Sequence, residues 1–142
     1  MPRRMAPGFT VLELIIVLAL SAIVLAIAVP RTSALLDQLS VQSAAADVAA
    51  TLGSARTYAI AAHAAVAVDV DTASGVMRVR RGPEMLFSRD VARAHNVRLR
   101  ATRDSLAFGP RGLGRGAANL SIVVMRRAAV ETVFVSRLGR VR

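Results

Sequence analysis

Residues 8–30 read GFTVLELIIVLALSAIVLAIAVP, and from Phe9 to Val29 the only charged side chain is Glu13. As a helix, those 21 residues span about 32 Å at roughly 1.5 Å per residue, one hydrocarbon thickness. Arg3 and Arg4 precede the run and only Arg31 follows closely. The positive-inside rule therefore expects a cytoplasmic N-terminus, with the rest of the chain across the membrane. A secretory signal peptide has a shorter apolar core followed by a small-x-small cleavage site. Ser21-Ala22-Ile23 and Ala26-Ile27-Ala28 mimic such a site, but the apolar run continues past both. A plain signal anchor fits the length and leaves Glu13 without a reason, since an intramembrane carboxylate is costly and marks function by default. Within about a turn of the helix start, Glu13 also favours the positive end of the helix dipole and reaches toward the headgroups.

A short basic leader, then Gly8-Phe9-Thr10-Val11-Leu12-Glu13-Leu14, then an unbroken apolar stretch ending in Pro30, resembles the prepilin signal of type IV pilins and type II secretion pseudopilins. The resemblance implies that a prepilin peptidase, a membrane aspartyl protease, cuts after Gly8 and that Phe9 is then N-methylated. It also implies that Glu13 meets the N-terminal amine of a neighbouring subunit during filament assembly. The electrostatics agree, because cleavage creates a positive amine at Phe9 beside the membrane, where it needs a counter-charge.

Beyond Pro30 the chain expects one long helix, from about residue 9 to 62, with an apolar half and an amphipathic half. Val41, Ala45, Val48, Leu52, Ala55, Ala59 and Ala62 recur at steps of four and three, a narrow stripe suited to lying on a sheet. Asp37, Gln38, Gln42, Ser43 and Asp47 are expected on its solvent side. Gly53 weakens the helix locally, by up to about 1 kcal/mol relative to Ala. From residue 64 the period changes to two. Val66, Val68 and Val70 alternate with polar or small residues, Thr72-Ala73-Ser74-Gly75 supplies a turn, and Val76–Arg81 pairs back. Residues 96–102 and 105–108 read as strands, and 119–125 with 130–136 as a second hairpin. One long helix followed by short antiparallel strands is an α+β layer, with boundaries expected at 1–8 (leader), 9–30 (membrane helix), 31–63 (its amphipathic continuation) and 64–142 (β-rich domain).

Composition narrows the chemistry. The chain has no Cys, so it holds neither a disulfide framework nor a thiolate metal site. His63 and His95 have no companion at metal spacing. Asp69 and Asp71 before Gly75 lack the remaining ligands of a calcium loop. Gly109-Pro-Arg-Gly-Leu-Gly-Arg-Gly116 lacks the Lys-Ser/Thr of a phosphate loop. No nucleophile–base set or carboxylate pair stands out, so the expectation is a protein that is not an enzyme and carries no cofactor. All 19 basic residues are Arg. Residues 1–75 hold four Arg against five acids and residues 76–142 hold fifteen against four, nets of −1 and +11. This asymmetry points to an anionic partner: nucleic acid, an acidic protein or lipid headgroups.

The later segments resemble the GspH/FimT family of pilin-like proteins. The resemblance rests on Ala55-Arg-Thr-Tyr-Ala-Ile60, on Leu106-Ala-Phe-Gly-Pro-Arg-Gly112 and on the closing Val133-Phe-Val-Ser-Arg-Leu-Gly-Arg-Val-Arg142. At Tyr58 the chain departs from the acidic residue usual in that helical signature. Residues 82–96 are the least recognisable. The family implies a pilin-like fold, a long N-terminal helix packed on an antiparallel β-sheet domain. It implies a minor pilin or pseudopilin of a type II secretion pseudopilus or type IV pilus, in keeping with the absence of the C-terminal Cys pair common in major pilins. Its partners would be other pilin or pseudopilin subunits, the prepilin peptidase and the bacterial inner membrane. The globular part would lie in the periplasm, and later in a filament. The alternative is a FimT-like DNA-binding minor pilin serving natural transformation. There Arg140 and Arg142 of the closing Gly-Arg-Val-Arg, with Arg111 and Arg115 of the glycine-rich loop, would contact phosphates. A Gly-Arg ending also suits a strand terminus with no DNA role, so both readings stand at this point.

Overall fold

The computed structural model describes residues 8–115 and 119–142. Leader residues 1–7, with Arg3 and Arg4, and Gly116 of the glycine-rich stretch lie outside the described residues. The chain divides into two compact units, one ending at Leu35 and the other formed by Leu36–Arg142. The first is helix α1 (Val11–Ala61) up to Leu35, preceded by non-helical Gly8–Thr10. Its residues from Gly8 to Thr32 are all exposed. Among the described residues α1 is the one helix long and apolar enough to cross a membrane by length and composition, with a window of mean hydropathy 2.9. Its hydroxyl side chains within the helix are turned back on it. Ser21 Oγ donates to the Val17 carbonyl at 2.8 Å and Thr32 Oγ1 to that of Ala28 at 3.0 Å, which hides hydroxyls from an apolar surrounding. Pro30 lies inside α1 rather than ending it.

In the second unit, the α1 segment from Leu36 onward packs its small-residue stripe into the core. Val41, Ala44, Ala45, Val48, Thr51, Leu52, Ala55 and Ala59 are buried, while Ala62, beyond the helix end, is half-buried. Eight strands complete the unit: β1 (Val66–Asp71), β2 (Val76–Arg81), β3 (Glu84–Asp90), β4 (Arg98–Ala101), β5 (Ser105–Phe108), β6 (Gly114–Arg115), β7 (Leu120–Arg126) and β8 (Ala129–Val135). A single turn of helix, α2 (Val91–His95), sits between β3 and β4, capped by the Asp90 side chain and stopped by Asn96 in the left-handed region. The strands do not form one sheet. They make a five-stranded antiparallel sheet in the order β3-β2-β1-β5-β6 and a three-stranded one in the order β4-β7-β8. One hydrophobic core serves both, with Leu52 and Val48 of α1 in the same cluster as Val68, Met77, Val79 and Phe108 of one sheet and Leu99, Ile122, Val124 and Val133 of the other.

Alternation places the strands as period two requires. β1 and β7 bury every second residue from Val66 and from Leu120. The β1–β2 turn is held by the Asp71 side chain, whose Oδ1 accepts from the Ala73 and Ser74 amides at 3.1 Å. Residues 82–96, poorest in sequence signal, form β3 and α2, with a register shift at Val79/Arg80.

One expectation is reversed. Asp37 is not on the solvent side but buried, at 6% exposure. It stands four residues before Val41, on the same helical row, so burial of that row carries it inward. A buried carboxylate needs partners, and the β7–β8 hairpin brings two. Arg126 Nε lies 2.8 Å from Oδ1 and Arg127 Nη1 3.2 Å from Oδ2. Asp47 is likewise largely covered, its side chain 13% exposed.

Candidate functional site

At the N-terminal junction, Gly8 and Phe9 are non-helical and Phe9 is 88% exposed. Thr10 caps α1: its Oγ1 accepts from the Glu13 amide at 3.2 Å and its carbonyl from the Leu14 amide at 3.1 Å. Thr10 and Glu13 thus stand at the spacing of a capping box, a local signal for the helix start that the sequence itself carries beside the Gly8-Phe9 junction. The cap uses only the Glu13 backbone. Its carboxylate is exposed and, among the described residues, accepts no hydrogen bond and forms no ion pair. The junction therefore offers an open peptide at Gly8-Phe9 and, one helical turn on, a negative charge at the positive end of a helix.

The second unit gathers the other candidates. The loop after β5 folds on itself, the Gly109 amide donating to the Leu113 carbonyl at 2.8 Å and the Gly112 amide to the Gly109 carbonyl at 2.8 Å. Arg56 of α1 holds it there, with Nε donating to the Gly112 carbonyl at 3.0 Å. The C-terminal segment closes on the same point. Gly139 has φ +71 and lies so near the Gly112 carbonyl that a Cβ there would overlap it, so only glycine satisfies both the backbone and the approach. The Gly114 amide also donates to the Arg137 carbonyl at 3.1 Å. Three positions quoted for the family resemblance, Arg56, Gly112 and Gly139, are thereby in contact although far apart in the chain.

Past Gly139 the chain turns back along β8. Phe134 and Arg142 exchange backbone hydrogen bonds of 2.8 and 2.9 Å, and Val141 bridges Val135. Arg140 and Arg142 are exposed, and Val141 between them is half-buried. The structure thus brings the segment bearing Arg111 and Arg115 against the segment bearing Arg140 and Arg142. All four are exposed and, among the described residues, none has an ion-pair partner. Arg78 and Arg80 share a strand side as period two expects, but they are neutralised by Asp71 and Asp69 and add little to a basic surface.

Two clusters were invisible in sequence because their members lie over forty residues apart. One is Asp37 with Arg126 and Arg127. The other is Asp47, whose carboxylate takes Arg89 Nε at 2.9 Å and faces His95 Nε2 at 3.2 Å. Partial burial pushes the Asp47 carboxyl up, but the hydrogen bonds from Arg89 and His95 and their charges outweigh it and hold it below its ordinary value. His95 thus faces a carboxylate of α1, while His63 is exposed at φ +47 just beyond the helix end. Among the described residues no three His, Cys, Asp or Glu side chains converge as a metal site would require.

A helix of this length whose later half covers antiparallel sheets defines a pilin-like fold. Crystal structures of the type IV minor pilin FimU of Pseudomonas aeruginosa (strain PAO1) share it. One, in space group P21, matches with a TM-score of 0.62 at 19% identity over 72% of this chain and 86% of that one. Another, in space group P65, matches with a TM-score of 0.60 at 16% identity over 71% and 90%. Comparison with curated proteins gives no match. The profile of the prokaryotic N-terminal methylation motif matches residues 3–29, and that of the type II transport protein GspH matches residues 44–139. The chain belongs to the GspH family. That family consists of structural pilin-type proteins rather than enzymes.

Proposed function

We propose that this chain is a minor pilin or pseudopilin, a structural subunit of a type II secretion pseudopilus or a type IV pilus. Prepilin peptidase cuts between Gly8 and Phe9, Phe9 is N-methylated, and the apolar segment from Phe9 first anchors the subunit in the bacterial inner membrane. The N-terminus then faces the cytoplasm and the β-rich region, residues 64–142, the periplasm. On assembly, residues 9–30 enter the filament core and residues 31–63 continue the helix onto the sheets. The observation that supports this best is the division of labour at Glu13. Its amide is used by the Thr10 cap while its carboxylate is left open, ready for the amine of another subunit's Phe9. Mass spectrometry of the chain from peptidase-positive cells should give an N-terminus at methylated Phe9; an intact leader would sink the processing step. Glu13→Ala should insert normally yet be strongly depleted from sheared filaments, and normal incorporation would remove the role assigned to Glu13.

A second reading is a DNA-binding minor pilin, favoured by the meeting of the Arg111–Arg115 loop with the Arg140–Arg142 tail. Guanidinium groups on adjacent segments suit phosphates about one strand apart, and the affinity would fall steeply with salt. Full-length protein in detergent micelles should then bind duplex DNA, and Arg140→Ala with Arg142→Ala should reduce the salt slope by about one to two. Binding indifferent to those changes, or none at low salt, would end this reading.

A further inference from the structure

The outward face of the three-stranded sheet differs in kind from that of its larger neighbour. On β2 of the five-stranded sheet, Arg78 and Arg80 are matched by Asp71 and Asp69 on the adjacent strand. On the three-stranded sheet the register sets Arg98 and Arg100 of β4 opposite Met125 and Val123 of β7, and these opposite Val130 and Thr132 of β8. Ser121 opposes Phe134, which in turn pairs with Arg142 of the tail. Directly opposed residues of an antiparallel ladder share a face. Val130 and Phe134 are 58% and 56% exposed, so the face carries a strip of Met, Val and Phe with arginine along both margins. Among the described residues no carboxylate side chain stands on it, since Glu131 alternates to the other face. Among the described residues Arg98, Arg100 and Arg142 form no ion pair.

We infer that this face seats a second, non-identical pilin-type subunit whose facing surface is apolar with a rim of carboxylates. This rests on the filament-subunit reading above and adds which face is used and what charge the partner carries. An apolar centre of Val123, Met125, Val130 and Phe134, flanked by Arg98, Arg100 and Arg142 with no carboxylate side chain among them, has the composition of a protein–protein interface, and a partly exposed apolar strip of this kind marks such contacts. A second copy of this chain does not fit. Bringing two of these faces together sets arginine rows against arginine rows with no carboxylate side chain between them, a juxtaposition costing several kcal/mol. Nucleic acid would satisfy the arginines but leave the valines, Met125 and most of the strip uncovered. An acidic protein surface satisfies both, its carboxylates taking Arg98, Arg100 and Arg142 in bidentate pairs.

The test uses the full chain in its own membrane, with the photoreactive residue p-benzoylphenylalanine placed at Phe134. Irradiation should yield an adduct with a pilin-type subunit of different sequence whose C-terminal region is net negative. Arg98→Glu with Arg100→Glu should lower the adduct yield at least about tenfold, and the same photoreactive residue at Met85, exposed on the other sheet, should give no such adduct. An adduct with another copy of this chain, with a basic subunit or with nucleic acid overturns the inference. So does the lack of any adduct when the probe-bearing chain is present in the sheared-filament fraction. If the unsubstituted chain never enters that fraction, the filament reading itself fails, and this inference falls with it.

Discussion

Single residues carry the sharpest consequences where backbone geometry leaves one choice. Gly112 and Gly139 both have positive φ, at +72 and +71, and both face Arg56, but their neighbours differ. A Cβ on Gly112 would press on the Cδ1 of Ile60 and on the Arg56 guanidinium, the ends of flexible side chains; one on Gly139 would press on the Gly112 carbonyl oxygen. Backbone cannot step aside as a side chain does. Gly139→Ala should therefore cost about 1–3 kcal/mol from strain and lost closure, and Gly112→Ala distinctly less. Urea unfolding followed by circular dichroism checks the order, and equal costs would mean the tail does not depend on that approach. At the other end, Thr10→Val removes the cap, a loss of about 1 kcal/mol of local helix stability, but spares the Glu13 carboxylate. Filament entry should survive Thr10→Val and fail in Glu13→Ala. Equal defects would show that Glu13 acts through the helix start alone.

Between elements, charge pairs tie α1 to the sheets, and this is the layer the sequence hid. A stripe at steps of three and four marks the buried helix face from Val41 to Ala59, because that periodicity is local. The spacing to Val41 puts Asp37 on the buried row, but nothing local shows what would balance its charge; its partners Arg126 and Arg127 arrive from about ninety positions downstream. Asp37→Ala should leave Arg126, a quarter exposed, without its counter-charge and with only Ser40 Oγ and the His95 carbonyl to accept from it, and destabilise the second unit by about 1–3 kcal/mol. Asp47 makes the corresponding tie to β3 and α2 through Arg89 and His95. Its native carboxyl titrates below the ordinary value of 3.8, so its stabilisation is present above that pH and is lost as the pH falls through the lower native value. Asp47→Asn should lower stability at neutral pH and flatten the acid limb between those two values. An unchanged acid limb would mean that the Arg89 and His95 contacts contribute no net stability.

For the whole molecule, the sequence delivers the class of fold but not how its strands are shared out. The alternation of Val66–Val70, the turn before Gly75 and the closing hairpin each state a strand or a turn, and each lies where expected. Period two says which residue faces inward and is silent about which sheet it faces inward from. The separation of β4-β7-β8 from β3-β2-β1-β5-β6 is decided by long-range pairing, β5 crossing to β1 and β4 to β7. The candidate site divides the same way: Gly8, Phe9 and Glu13 are adjacent in sequence and legible, whereas the joining of the Arg111 loop to the Arg140 tail depends on Arg56 and two glycines. Although the sheets are separate, Phe108 of one and Ile122 of the other lie in a single buried cluster with Leu52 of α1. A single core implies a single cooperative transition. Tyr58, the chain's only tyrosine, packs on Phe87 of β3 with ring centroids 6.0 Å apart, so its fluorescence reports the five-stranded side. Amide exchange in β7 reports the other. Phe108→Ala, at about 3–5 kcal/mol, should move both midpoints together although it alters only β5. If Tyr58 fluorescence shifts while β7 protection stays at its original value, the sheets unfold independently and the shared core is not one cooperative unit.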